Sequence, residues 1–253
     1  MRSEMSRPLF DRYIGIDYSG RDEPTAGNSA IQVFEADADA GSIAVRPAEA
    51  RDWSRATVAA WLVEQMKGRQ RLIVGIDHAF SFPRAEMGGH VTWADFLASF
   101  RERWRTDERP VTKSAISQAY PDCGKLLRLT EQWTSSAKSV FDCNGPGVAC
   151  STFAGLPWLW RIREQCGARV FFWPFDGWEP PGDRHVIAEV YPSIFRNRYR
   201  RSGLQGDELD AFAVAQWLKE TDAHDFLTRY FNPSLTTEQK EVGSLEGWIL
   251  GIA

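Results

Sequence analysis

Two short apolar runs in this chain end on the same three residues, Gly-Ile-Asp. The runs are residues 12–17 and 72–77, and both carry β-branched residues up to the final aspartate. An uninterrupted run of this kind predicts a strand that is buried on both faces. An aspartate at the end of such a strand belongs to the edge of a parallel sheet, where open α/β folds bind their ligands. The repeated ending therefore predicts an α/β fold with a polar site at one sheet edge.

The segments between the two runs predict how they are connected. Residues 30–35 and 42–46 read as two strands joined by a loop with Asp and Gly, which is typical of a hairpin. Residues 54–66 have the apolar spacing of a helix. A helix before the second run returns it parallel to the first by a right-handed crossover. We therefore expect Asp17 and Asp77 on neighbouring strands, about 5 Å apart.

Two carboxylates held this close repel each other unless they share a proton or hold a cation between them. A divalent metal site is therefore the first functional hypothesis. Strand alternation also places Gly15 and Gly75 on the same faces as Asp17 and Asp77. A glycine inside a strand marks close approach of a ligand or of another backbone. A closely packed helix explains these glycines equally well, and the two readings are compatible.

The rest of the chain predicts further elements of one α/β domain. Residues 169–172 and 185–190 read as strands, and a short apolar terminus at 247–252 is expected to pack back on the fold. Helices are predicted at 93–105, 155–165, 207–221 and 223–230. The segment at about 84–150 reads as a helical and loop insertion. We expect a single domain over residues 1–253, built on a mixed sheet of five or more strands with flanking helices.

Three more acidic residues join the two strand-end aspartates. Glu189 lies inside the apolar strand at 185–190, where an unpaired carboxylate is costly. Asp207 and Asp210 are three residues apart in a helix and so share a face. Asp207 has an equally good reading as the helix N-cap. Hard oxygen ligands suit Mg²⁺ or Mn²⁺, and two such ions can promote phosphodiester displacement.

These motifs resemble a family of predicted nucleases with an RNase H-like fold, described as domain of unknown function 429. The resemblance rests on Ile-Gly-Ile-Asp-Tyr-Ser at Asp17, Gly-Ile-Asp at Asp77, Glu-Val-Tyr-Pro at Glu189, Gly-Asp-Glu-Leu-Asp-Ala at 206–211, and Glu-Gly-Trp-Ile at 246–249. It implies a sheet whose first strand is flanked by strands two and four, and acidic residues that bind metal. The family usually places a small residue and then proline after the second aspartate, whereas here His78 and Ala79 follow.

Charge and cysteine content limit the function classes. The net charge is −4, from 34 acidic and 30 basic residues, which disfavours non-specific coating of nucleic acid. A local basic cluster follows Glu189, at Arg196, Arg198, Arg200 and Arg201, and either contacts a phosphate backbone or forms a solvated face. The four cysteines lack C-x-x-C spacing and predict free thiols in a reducing cytoplasm. No apolar run approaches membrane-spanning length.

The predicted function is two-metal hydrolysis of phosphodiesters. Asp17, Asp77, Glu189 and Asp210 are the predicted catalytic carboxylates. With Asp207 they are also the predicted ligands of Mg²⁺ or Mn²⁺, and the four arginines are the predicted substrate contacts. Two alternatives stay open: a non-catalytic nucleic-acid or protein binding module of the same fold, and an actin-like or sugar-kinase-like phosphotransferase. The chain is short for the second alternative, which needs two domains and another glycine-rich phosphate loop.

Overall fold

The structure is a computed structural model and describes residues 8–37, 41–134, 136–144 and 148–253. Its centre is one mixed sheet of six strands: β1 (Arg12–Asp17), β2 (Gln32–Asp37), β3 (Ile43–Val45), β4 (Leu72–Asp77), β5 (Val170–Trp173) and β6 (His185–Glu189). Their order across the sheet is β3-β2-β1-β4-β6-β5. β1, β2 and β3 are antiparallel neighbours, whereas β1, β4, β6 and β5 all run parallel. The predicted parallel return of the second Gly-Ile-Asp strand is confirmed.

The predicted hairpin is present, but β2 begins two residues later than expected. Residues before it form a turn in which the Asn28 side chain accepts a hydrogen bond from the Ala30 amide at 2.9 Å. The Gln32 side chain donates to the Ser29 carbonyl at 2.7 Å. Asparagine side chains that bond the backbone two residues ahead favour turns over strands. This local competition delays the strand.

Eight α-helices accompany the sheet in the described part of the chain, with short 3₁₀ turns at Arg84–Glu86, Gly167–Arg169, Pro192–Ile194 and Arg196–Arg198. The helices are α1 (Arg55–Gln65), α2 (Trp93–Trp104), α3 (Lys113–Ala119), α4 (Leu129–Gln132), α5 (Ala149–Cys166), α6 (Gly206–Ala223), α7 (Leu227–Phe231) and α8 (Thr237–Glu246). No helix of the described residues has the length and apolar character that crossing a bilayer requires.

The sheet lies between two helical layers. Helices α1 and α5 pack together over the face that carries Ile16 and Ile76, with α2 against α5. Helix α6 covers the other face, which carries Tyr13 and Ile73. A Cβ atom on Gly15 would lie 2.2 Å from the Ala211 carbonyl oxygen of α6. Gly15 therefore allows α6 to pack closely against β1. A closely packed helix was one of the two explanations given for the strand glycines.

Helix α5 begins six residues before the predicted start at 155, although Pro157 lies in its interior. A proline removes the amide that would bond to the carbonyl four residues earlier, here Phe153. The Thr106 hydroxyl donates to that carbonyl instead. A tertiary contact thus satisfies the group that proline leaves open, and the helix continues.

Three helices were not predicted: α3, α4 and α8. Helix α8 has only Val242 and Leu245 as large apolar residues, so its sequence lacks a clear apolar stripe. A capping box of Thr236 and Gln239 begins it. The terminal segment after α8 packs into the core as expected, with Trp248 and Leu250 fully buried.

Candidate metal centre

The two strand-end aspartates are direct neighbours. Asp17 of β1 is paired in register with Asp77 of β4. Strand alternation places both side chains on the face that α6 covers, two residues beyond Gly15 and Gly75. Their carboxyl groups are in hydrogen-bonding contact with each other. The structure therefore brings together the pair that the sequence singled out.

The pair holds a proton at neutral pH. Burial raises the pKa of Asp77 to about 8, and the charges of Asp210 and Glu189 act in the same direction. Burial, followed by the charge of Asp77, raises the pKa of Asp17 well above its usual range. Two carboxylates in contact cannot both ionise without strong repulsion. One carboxyl O–H therefore donates to the neighbouring carboxylate.

Helix α6 brings two further aspartates to this pair. The charges of Asp207 and Asp210 both raise the pKa of Asp17. Asp207 is exposed in the first turn, and Gln205 is the N-cap residue, so the reading of Asp207 as a cap is wrong. Asp210 is half-buried and accepts a hydrogen bond from Arg196 at 2.9 Å. Burial raises the pKa of Asp210 even though Arg196 opposes that shift.

Glu189 borders the same cleft but is fully engaged by an arginine. It pairs in register with Ile76, so its side chain leaves the sheet on the face opposite to Asp77. Arg128 donates to its two oxygens at 2.8 and 2.5 Å, and the Phe80 amide donates to it at 3.1 Å. The carboxylate is costly to bury, as predicted, but its partner is a guanidinium. Glu189 as a metal ligand stays a prediction, and it would require the carboxylate to leave Arg128.

Arg128 is the main residue of the site that sequence reasoning missed. It is 1% exposed and also binds Glu131 at 2.8 Å. The Arg128–Glu131 spacing of three residues is typical of a surface ion pair on a helix. Nothing in that spacing indicates that the pair is buried against β6.

The predicted substrate arginines divide into two groups. Arg196 binds Asp210, and Arg201 donates to the Ser42 carbonyl at 2.9 Å while lying over the Phe212 ring. Arg198 and Arg200 are exposed. Two of the four arginines thus have structural partners and two face solvent, and their contact with substrate stays a prediction.

Two clefts meet at Asp17. The first has a volume of about 270 Å³ and is bordered by both strand-end aspartates, Glu189 and Lys138. The second has a volume of about 630 Å³ and includes Arg21, Lys113 and Asp207. Asp17, Tyr18 and Ser151 line both of them. Asp17 thus borders both clefts, whereas Asp77 borders only the first.

His78, which follows Asp77, is fully buried between the rings of Tyr18 and Phe80. Its Nδ1 donates to the Ala79 carbonyl at 2.9 Å, because a carbonyl oxygen only accepts. Burial lowers the pKa of His78 to about 4, so the ring is neutral at physiological pH.

The donor set suits one hard divalent cation. Mg²⁺ keeps several waters and is usually bound by one or two carboxylates together with substrate phosphate. The Asp17–Asp77 pair offers such carboxylates, and a cation would displace their shared proton. Among the described residues, no three acidic, histidine or cysteine side chains are grouped for metal binding. The pair fits a partly hydrated ion better than an all-protein cage.

Comparison with protein-family models, with curated proteins and with solved structures finds no match for this chain.

Proposed function

We propose that this protein is a metal-dependent phosphodiesterase that acts on nucleic acid. The observation that carries the proposal is the Asp17–Asp77 pair, in register on adjacent parallel strands and open to a cleft. Two carboxyl groups in contact repel each other unless they share a proton or hold a cation between them. A metal site would give this buried, proton-sharing pair a chemical role.

The topology supports an RNase H-like fold. In that fold, as the resemblance implies it, the first strand is flanked by strands two and four. Here β1 lies between β2 and β4: β2 is antiparallel to β1, β3 is antiparallel to β2, and β4 and β6 run parallel to β1. We include this fold assignment in the proposal.

The proposed resting site holds one Mg²⁺ or Mn²⁺ ion at Asp17 and Asp77. When bound, a divalent cation polarises a phosphate oxygen and lowers the pKa of its water. The outer carboxylates, Glu189 and Asp210, are each neutralised by an arginine. Among the described residues, Asp17 and Asp77 form no ion pair with an arginine or lysine and share a proton instead. A second ion would require Asp210 to leave Arg196.

Cations near the pair favour an anionic substrate. Lys138 borders the first cleft, and Arg21 borders the second. Arg198 and Arg200, which precede α6 in the chain, are exposed and add positive charge. Lysine and arginine contacts to phosphates supply most non-specific affinity for nucleic acid.

The test combines Mn²⁺ titration calorimetry with cleavage of labelled single-stranded DNA, single-stranded RNA, duplex DNA and RNA–DNA hybrid. We expect Mn²⁺ binding near one ion per chain and cleavage of at least one substrate. Asp17→Asn should remove both. Asp37→Asn is the matched control, because Asp37 ends β2 at the opposite edge of the sheet.

Equal cleavage by wild type and Asp17→Asn would trace the activity to a contaminant. Absence of Mn²⁺ binding at millimolar concentration would refute the metal centre. Metal binding without cleavage of any substrate would favour the binding module over the enzyme.

A further inference from the structure

A small cavity lies behind the carboxyl pair, on the opposite side of the sheet edge from α6. It is bordered by Tyr18 and His78, which directly follow the two strand-end aspartates, and by residues of α1 and α5. The space open to the centre of a water-sized sphere is about 10 Å³. That volume is close to the minimum that holds one water molecule.

Four buried polar side chains around this cavity lack a hydrogen-bond partner at one atom. The atoms are Tyr18 Oη, Arg55 Nε, His78 Nε2 and Trp158 Nε1. The four residues are each at most 8% exposed. Buried polar atoms without partners are rare, and a group of them usually indicates an ordered water.

The hydrogen-bonding character of the four atoms matches one water molecule. Arg55 Nε and Trp158 Nε1 carry hydrogens and only donate. His78 Nε2 only accepts, because Nδ1 carries the ring proton that binds the Ala79 carbonyl. Tyr18 Oη can accept or donate. A water accepts two hydrogen bonds and donates two, so it can satisfy all four atoms.

Other small occupants fit less well. A cation would face the N–H groups of Arg55 and Trp158. An anion would face the lone pair of His78 Nε2. We propose that the cavity between β1, β4, α1 and α5 is a binding site for a single structural water, which joins Tyr18, Arg55, His78 and Trp158 and positions the two strand-end aspartates.

The positioning role follows from what these residues hold. Arg55 donates through its terminal nitrogens to the carbonyls of Ser19, Arg21 and Asp22. It therefore fixes the loop that leaves Asp17. His78 fixes the start of the loop that leaves Asp77 through Ala79. The water connects these two supports, so it helps to hold the two loops that leave the carboxyl pair.

The direct test is a crystal structure of the metal-free protein at a resolution that shows ordered water. We expect one electron-density peak within hydrogen-bonding distance of the four atoms. An empty cavity, or a peak that contacts fewer than three of them, would overturn the proposal. This test does not depend on any activity of the protein.

A mutational test uses Trp158→Phe, which keeps an aromatic ring and removes the donor. Trp104→Phe is the matched control, because Trp104 Nε1 also lacks a partner but does not border the cavity. We expect Trp158→Phe to lower the melting temperature by about 3 °C, and Trp104→Phe by less. Equal shifts would count against the water.

A double-mutant cycle separates the water from direct packing. Tyr18→Phe and Trp158→Phe should together lower the melting temperature by less than the sum of the single effects, because the first change already weakens the water. Additive effects would contradict a shared water.

The positioning claim rests on the proposed metal centre, and Trp158→Phe should weaken Mn²⁺ binding by up to about tenfold. Unchanged affinity, with wild-type Mn²⁺ binding intact, would overturn the positioning role and not the metal centre.

Discussion

Five carboxylates lie near the edge of the sheet, and the protein neutralises four of them in two ways. Glu189 and Asp210 each bind an arginine. Asp17 and Asp77 instead share a proton, since burial raises both of their pKa values and the charge of Asp77 raises the pKa of Asp17 further. The proposed Mg²⁺ or Mn²⁺ ion would replace that proton. Two predictions follow from this difference.

The first prediction concerns the pH dependence of stability in the absence of metal. The pKa of Asp77 is raised from 3.8 to about 8 in the folded protein, so folding stabilises its protonated form. That stabilisation is complete below pH 3.8, the ordinary value. It is lost as the pH rises through about 8. Asp77→Asn stays neutral at all these pH values.

The free energy of unfolding of Asp77→Asn, relative to wild type, should therefore increase between pH 5 and 9 by at least about 1 kcal/mol. Urea denaturation with a chelator present measures it. A constant difference across this range would refute the shared proton.

The second prediction concerns metal binding. A cation at the pair displaces its proton, so affinity for Mn²⁺ should fall as the pH decreases below about 8. The slope should approach about tenfold per pH unit, which corresponds to one released proton. Calorimetry in buffers of different ionisation enthalpy counts that proton. Affinity that does not change between pH 6 and 8 would argue against Asp17 and Asp77 as ligands.

At the scale of elements, the contact between β1 and α6 determines where the acidic residues of the helix lie. The Cβ position of Gly15 falls on the backbone of Ala211 and Ala215. Only glycine lets the helix lie this close to the strand. The same contact holds Asp210 next to the strand-end aspartates, so the packing of α6 and the geometry of the site depend on one residue.

Gly15→Ala should consequently destabilise the protein by about 3 kcal/mol or more, because the backbone of α6 has to move. Gly41→Ala is the matched control, since a Cβ at Gly41 meets nothing within 4 Å. It should change stability by less than about 0.5 kcal/mol. Chemical denaturation of both variants provides the measurement, and a similar small effect in each would contradict the described packing.

At the scale of the whole molecule, one buried cation joins segments that are distant in sequence. Arg128 lies in the segment between β4 and α5 and binds Glu189 of β6. It also donates to the Glu246 carbonyl at the end of α8, at 3.0 Å. The carboxylate of Glu246 accepts from the Leu129 amide at 2.6 Å. The inserted segment is thus attached to the sheet edge by charge-assisted hydrogen bonds.

Arg128→Met should cost about 3–5 kcal/mol, because Glu131 and Glu189 would be buried without a partner. Adding Glu131→Gln and Glu189→Gln should recover part of that loss, since the amides carry no charge. Thermal and urea unfolding compare the three proteins. A triple variant no more stable than Arg128→Met would mean that packing of Arg128, and not its charge, holds the segment.

Much of the fold could be predicted from local sequence patterns. The β-branched runs at residues 12–17 and 72–77 predicted β1 and β4 as they occur, and the intervening helix predicted their parallel return. Helix α8 could not be predicted from the sequence, because its few apolar residues pack against distant segments. The start of α5 was missed because Thr106, far away in sequence, satisfies the carbonyl opposite Pro157.

By itself, the sequence determined the α/β class, the six strands and the meeting of Asp17 with Asp77. Strand and helix periodicities depend on residues close together along the chain, so a single sequence carries them. Only the tertiary structure decided which carboxylates are neutralised by arginine. Arg128 and Glu189 are 61 residues apart, and Arg196 and Asp210 are 14 apart. Such pairings depend on how elements pack, and the same packing encloses the cavity behind the site.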